Sequence, residues 1–105
     1  MMKIPKKVNI IGYEYKIVID NHQEERHSLW GQCDNGQLKI FLKDTLISNE
    51  IIARNLFHEI SHAIDFCLKI KDNGEVLSES EIERLATGLQ SLIRDNNWSK
   101  NKKEG

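Results

Sequence analysis

The spacing of apolar and polar positions changes period along the chain, dividing it into a β-rich first half and a helical second half. Residues 10–20, Ile-Ile-Gly-Tyr-Glu-Tyr-Lys-Ile-Val-Ile-Asp, are rich in β-branched and aromatic types, and Tyr13, Tyr15, Ile17 and Ile19 recur at every second position. That period places them on one face of a strand. Residues 21–27 are polar throughout and read as a surface loop carrying His22 and His27. Residues 28–33 and 37–42 then flank Asp34-Asn35-Gly36. Asn-Gly between two such runs signals a hairpin, because both turn positions tolerate positive φ. In the second arm Leu38, Ile40 and Leu42 alternate with Gln37, Lys39 and Phe41. The expected product is an antiparallel sheet of about three strands.

Over residues 49–70 the period lengthens to that of a helix. Ser48 is its candidate N-cap, Glu50 suits the positive end of the dipole, and Asn73-Gly74 is the candidate terminator. At about 100° per residue, Ile52, Leu56, Phe57, Ile60, Ala63, Ile64, Phe66, Cys67 and Leu68 cover roughly two-thirds of the circumference. The remaining strip carries Arg54, Asn55, His58, Ser61, His62, Asp65 and Lys69. Such a helix packs on most sides and opens along one polar strip. A second helix is expected over residues 78–95, where Ile82, Leu85, Ala86, Leu89, Leu92 and Ile93 share a face. Its capping box is either Ser78 with Glu81 or Ser80 with Glu83. Residues 1–9 read as an N-terminal arm and residues 97–105, polar apart from Trp98, as a tail that frays. The whole is one α+β domain over residues 1–105.

Composition then narrows the partners. A formal net charge of -1 with 30% charged residues gives no global basic field, and neither helix carries a basic face with interleaved aromatics, so no nucleic-acid partner is expected. No long uncharged apolar run follows Met1, so neither a signal peptide nor a membrane span is expected, and the cytoplasm is the default compartment. Cys33 and Cys67 lack Cys-x-x-Cys spacing and read as small apolar packing residues.

The chemistry is concentrated in His58-Glu59-Ile60-Ser61-His62. Histidines four apart lie one turn from each other on a helix face, so both can give a nitrogen to one ion, with Glu59 about 100° round the helix as a general base. Shuffling this composition would produce such a pattern in about one chain in a hundred. A catalytic zinc takes three protein donors, and the candidates for the third are Glu79, Glu81 and Glu83 at the start of the second helix. Glu79 and Glu81 flank its apolar stripe on opposite sides, and periodicity does not choose between them. Asp65 shares the histidine strip but stands about 10 Å along the axis from His58, too far to share an ion. It is expected to hydrogen-bond His62 or a neighbouring strand. Cys67 is opposite His58 on the wheel and belongs with the core. His22 or His27 could swing in to hydrogen-bond a reacting carbonyl.

The run from His58 to Asp65, followed after a short linker by Glu79-Ser80-Glu81-Ile82-Glu83, resembles the gluzincin metallopeptidases. The likeness is closest to the minimal ImmA/IrrE-like group common in phages and mobile elements, and it spans roughly residues 29–96. It implies a small zincin-like fold and a Zn2+ ion held by His58, His62 and Glu79, with Glu83 as the acid supporting a ligand histidine. It also implies hydrolysis of a peptide bond in a specific protein or peptide substrate, with Glu59 as base and then acid. An extended substrate would add to a strand edge, expected at residues 38–43. The alternative is a regulatory module that keeps the fold and the metal and binds a partner without cleaving it. The intact Glu59 favours the enzyme, since only the reaction needs that carboxylate.

Overall fold

The apolar run that opens the chain folds as two strands. Ile11 and Gly12 take positive φ, 48° and 86°, the signs required at the two central positions of a tight I′ hairpin turn. The turn lets β1 (Lys7–Ile10) fold back on β2 (Tyr13–Ile19), pairing Ile10 with Tyr13 and Lys7 with Lys16. The expected N-terminal arm is therefore partly an edge strand, and the single expected strand is a hairpin. The computed structural model describes residues 4–19, 31–43 and 49–96. His22, His27, the first three residues of the next expected strand, the Ser48 cap and the tail with Trp98 lie outside the described residues.

The second hairpin joins β3 (Gly31–Asp34) to β4 (Lys39–Leu42), with Asp34 opposite Lys39. Its loop is longer than Asn-Gly alone requires. Four residues connect the strands, and positive φ falls on Leu38 (56°). The Asp34 carboxylate holds the loop by accepting the Gln37 backbone N–H and its side-chain amide, both at 3.0 Å. Leu38 thus belongs to the turn and not to the expected strand.

Strand order is β1-β2-β4-β3, with β4 parallel to β2 and antiparallel to β3. The sheet has four strands and is mixed, where three antiparallel strands were expected. Alternation marks which face of a strand is buried but not which strand lies beside it, so the parallel pairing carries no local signal. The expected substrate edge at residues 38–43 lies inside the sheet, and among the described residues the outer strands are β1 and β3.

Helix α1 (Asn49–Leu68) contacts β1, β3 and β4 on one side and α2 (Glu79–Asn96) on another. Ile10, Tyr15, Ile17, Ile40, Leu42, Leu56 and Ala63 form the shared core. Tyr13 and Ile19, at the two ends of β2, stay exposed. The apolar arc of α1 is only partly covered: Phe66 and Leu68 are more than half exposed, whereas Ser61 and Asp65, both from the polar strip, are buried. Ser61 satisfies its hydroxyl by donating to the Phe57 carbonyl at 2.8 Å, so a small polar residue costs the helix little there. The helix stops at Leu68, where Lys69 N–H bonds the Asp65 carbonyl at 2.7 Å and Lys69 turns to φ 51°. The stop thus precedes Asn73-Gly74, which instead shapes the linker. Among the described residues no helix is long and apolar enough to cross a membrane.

Ile11 is a β-branched residue in the left-handed region and is half exposed, so its side chain loses little by replacement. Ile11→Asn should raise stability by about 1 kcal/mol, read as a higher urea midpoint at unchanged m-value.

Candidate metal centre

Two i,i+4 pairs build the centre, one on each helix. His58 and His62 lie a turn apart on α1 with ring centroids 5.0 Å from each other. Glu79 and Glu83 lie a turn apart at the start of α2 and meet the two nitrogens of His58. Glu83 Oε1 is 2.7 Å from Nδ1, and Glu79 Oε1 is 3.0 Å from Nε2. The other Glu79 oxygen is 3.5 Å from His62 Nε2. One donor atom from each of His58, His62 and Glu79 falls within a mutual 4.8 Å.

These separations suit an ion. Donors about 2.0–2.1 Å from a tetrahedral zinc stand roughly 3.3 Å apart, close to the 3.0 and 3.5 Å at which the two Glu79 oxygens stand from His58 and His62. Glu83 completes the arrangement from behind. With Nδ1–H donated to Glu83, Nε2 is the ring nitrogen that faces Glu79 and would meet an ion, as in carboxylate–histidine–metal triads. Glu83 is itself held by Arg54, whose Nε and Nη2 both donate to Oε2, at 3.2 and 3.1 Å. In the sequence the role of Arg54 is signalled only by its i−4 spacing from His58 on the polar strip.

The choice between Glu79 and Glu81 is made by the helix cap. Ser78 Oγ accepts the Glu81 N–H at 3.1 Å, and Glu81 Oε1 accepts the Ser78 N–H at 2.8 Å, a reciprocal capping box. Lys71 adds an ion pair to the same Glu81 oxygen at 3.4 Å. Glu81 is thereby turned away from the histidines and Glu79 toward them. The alternative box does not form, since Ser80 Oγ receives Arg84 Nη1 and Glu83 is engaged by His58.

The third acid, Asp65, bonds neither His62 nor a strand. Its Oδ2 accepts the Leu77 backbone N–H at 2.9 Å, tying the linker between the helices to α1. Cys67 is half-buried, its sulfur 3.9 Å from the Tyr15 hydroxyl and clear of the histidines, as expected.

The centre lines a cleft of about 500 Å³ between α1, the linker and β3. Gly31, Gln32 and Cys33 form its β3 wall, a set that sequence reasoning missed. Glu59 lies in the cleft but is only 7% exposed. A Cβ at Gly31 would come 3.1 Å from Glu59 Oε2 and 3.2 Å from the Phe41 carbonyl oxygen, so any side chain there would crowd this carboxylate by a few tenths of an ångström. A glycine inside the expected strand of residues 28–33 was the visible hint of a close approach. No protein-family model, curated protein or solved structure matches the chain.

Electrostatics separates the groups. Burial opposes charge on His58, but the Glu83 hydrogen bond and the carboxylates of Glu59, Glu83 and Glu79 outweigh it and raise its pKa. Burial dominates at His62 and lowers its pKa; Glu79 pulls it up, while the His58 charge pushes it further down. Glu83 is held below the usual carboxylate range by the His58 hydrogen bond and by Arg54. Burial lifts the Glu59 carboxyl to about 7, with His58 acting against the rise and Glu79 adding to it.

A carboxyl whose folded pKa exceeds its unfolded value binds more protons when folded, so stability falls as pH rises between the two values. For Glu59 that window runs from about 4.5 to about 7. Metal-free Glu59→Gln protein should therefore be more stable than metal-free wild type at pH 8, by on the order of 1–3 kcal/mol, with the gap closing at pH 4. Denaturant titrations at the two pH values measure it.

Proposed function

We propose that this chain is a small zinc-dependent peptidase of gluzincin type, in which His58, His62 and Glu79 hold the ion and Glu59 handles the proton. The observation that carries the reading is the convergence of His58 Nε2, His62 Nε2 and a Glu79 carboxylate, with Glu83 fixing the opposite nitrogen of His58. When bound, zinc supplies Lewis acidity, polarising a carbonyl and bringing the pKa of water toward about 7.

Glu59 supplies the proton transfers. Burial raises the proton affinity of its carboxyl above that of an ordinary carboxylate, which favours taking a proton from water. Glu59 takes the proton of the attacking water on a carboxylate oxygen and returns it to the leaving amine. The wall formed by Gly31 confines Glu59 to the cleft, and the exclusion of solvent keeps its affinity for the proton high.

β3 is the better candidate for the substrate edge than residues 38–43. Gln32 and Cys33 line the cleft on the terminal strand, beside the helix that carries Glu59. An extended peptide laid along β3 would gain main-chain hydrogen bonds and pass over the histidines. A four-stranded mixed sheet with two helices fits the α+β class and is not particular to zincins, so the reading rests on the site and not on the fold.

Elemental analysis of untagged protein should find one zinc per chain, lost in His58→Ala and Glu79→Ala and retained in Glu81→Gln. Absence of zinc after reconstitution would overturn the reading. Glu59→Gln should keep the ion and lose at least about 100-fold in peptide hydrolysis; equal activity would mean that Glu59 is no base. Gly31→Ala should also retain zinc while lowering kcat about tenfold or more, because the new methyl displaces Glu59 rather than a ligand.

A further inference from the structure

A second cavity, of about 350 Å³, adjoins the metal cleft, and the two share Asn35 and Phe66 as lining residues. Both walls continue in the same order. On the sheet side the cleft is lined by Gly31, Gln32, Cys33 and Asn35, and the second cavity by Asn35, Gly36 and Leu38. On the helix side His58, Glu59, His62 and Asp65 precede Phe66, and Cys67 and Lys69 follow it. The junction is held in place, since Asn35 Oδ1 accepts the Tyr15 hydroxyl at 2.8 Å and the Cys33 thiol at 3.3 Å. A chain lying along β3 over the histidines therefore leads towards this cavity at the Asp34 end of the strand.

The two cavities differ in chemistry. The cleft lining carries three carboxylates, Glu59, Asp65 and Glu79, and neither lysine nor arginine. In the second cavity Lys69 is the one charged residue among the described lining, and no described carboxylate pairs with its ammonium. Lys69 Nζ stands 5.8 Å from the centroid of the Phe66 ring, so the cation is kept at the apolar wall. Its φ of 51° is the conformation in which glycine usually ends a helix, and a lysine there costs the backbone more than glycine would. Tyr13 and Phe66 line the same cavity and are 54% and 53% exposed, so both rings are open to a ligand. Two exposed aromatics and Leu38 around one hollow mark a place for contact rather than scattered surface apolar residues.

We propose that the second cavity is a subsite for an apolar side chain, leucine or phenylalanine in size, whose neighbour in the bound peptide is an aspartate or glutamate. Tyr13, Leu38 and Phe66 surround the apolar group, and Lys69 pairs with the carboxylate. At about 350 Å³ the cavity lies at the small end for ligand sites, with room for one side chain and not for a whole ligand. Phe66 follows His62 by four residues, about 6 Å along α1, so the subsite begins roughly two residues of extended peptide from the metal centre. The acid of the peptide thereby stays clear of the acidic cleft and comes beside the cation. Assigning the peptide to a substrate rests on the peptidase reading; the contact itself does not need the metal.

The test is a titration of 15N-labelled protein, metal-free and zinc-loaded, with the acetylated and amidated dipeptides Phe-Glu, Phe-Gln and Ala-Glu, and with N-acetyl-phenylalanine. Phe-Glu should shift the Gly36 and Lys69 amide signals. Phe-Gln should bind about threefold to fivefold more weakly, having lost an exposed ion pair, and Ala-Glu about tenfold more weakly, having lost the apolar group. Lys69→Asn suits the left-handed backbone and should abolish the difference between Phe-Glu and Phe-Gln. Tyr13→Thr, at the exposed end of β2, should weaken both peptides and leave the zinc content unchanged. Equal affinity of the wild type for Phe-Glu and Phe-Gln, or no shift at Gly36 and Lys69, would overturn the proposal. Tighter binding of N-acetyl-phenylalanine than of Phe-Glu by the metal-free protein would overturn the internal acid in favour of a chain terminus. Zinc uptake without a response to Phe-Glu leaves the peptidase reading and removes the subsite; a response to Phe-Glu in protein that takes up no zinc does the reverse.

Discussion

Glu83 bonds two side chains of α1 at once, and the relation between the helices depends on that contact. One oxygen receives Arg54 and the other meets His58 Nδ1. Since Arg54 and His58 are four apart on α1, a single carboxylate bridging them fixes both the rotation and the height of α2 against α1. Glu79, one turn earlier on α2, is thereby carried to the other nitrogen of the same imidazole. Arg54 is well exposed and its ion pair contributes little stability by itself. Its effect is geometric, since it holds the carboxylate that orients the histidine.

The helical half was legible in the sequence because its signals are local. The His58/His62 spacing, the apolar stripe through Ile82 and Ala86, and the Ser78/Glu81 box each depend on residues within a few positions of one another. The assignment of Glu79 over Glu81 became readable only with the cap formed, because one glutamate cannot both close the helix N-terminus and reach the histidines. The β half was legible in its faces and not in its neighbours. Tyr15, Ile40 and Leu42 are buried as alternation required, yet nothing near Lys39 or Ile40 announces a parallel partner in β2. The Ile11-Gly12 turn was hidden by a β-branched residue where Asn would ordinarily signal it.

The cleft also shows where stability is given up. Glu59 is an acid buried among other acids, and Asp65 keeps an oxygen without a donor. A core selected for stability alone would favour apolar side chains at both positions. Ser61, a turn away, is buried too but fully satisfied, so the cost is confined to the residues beside the cleft.

The strand order has a bearing on how the cleft is assembled. β4 follows β3 in the chain but lies between β2 and β3 in the sheet. β3 therefore has no ladder connecting it to the first hairpin until β4 has inserted beside β2. The β1–β2 hairpin and the helices form from near neighbours, whereas the wall that faces the histidines waits on a pairing across more than twenty residues, Lys16 with Lys39. The wall beside His58 and His62 therefore depends on contacts distant in sequence, whereas the pairing of His58 with His62 depends only on one turn of α1. Local turns set the spacing of the histidines, and distant pairings set what surrounds them.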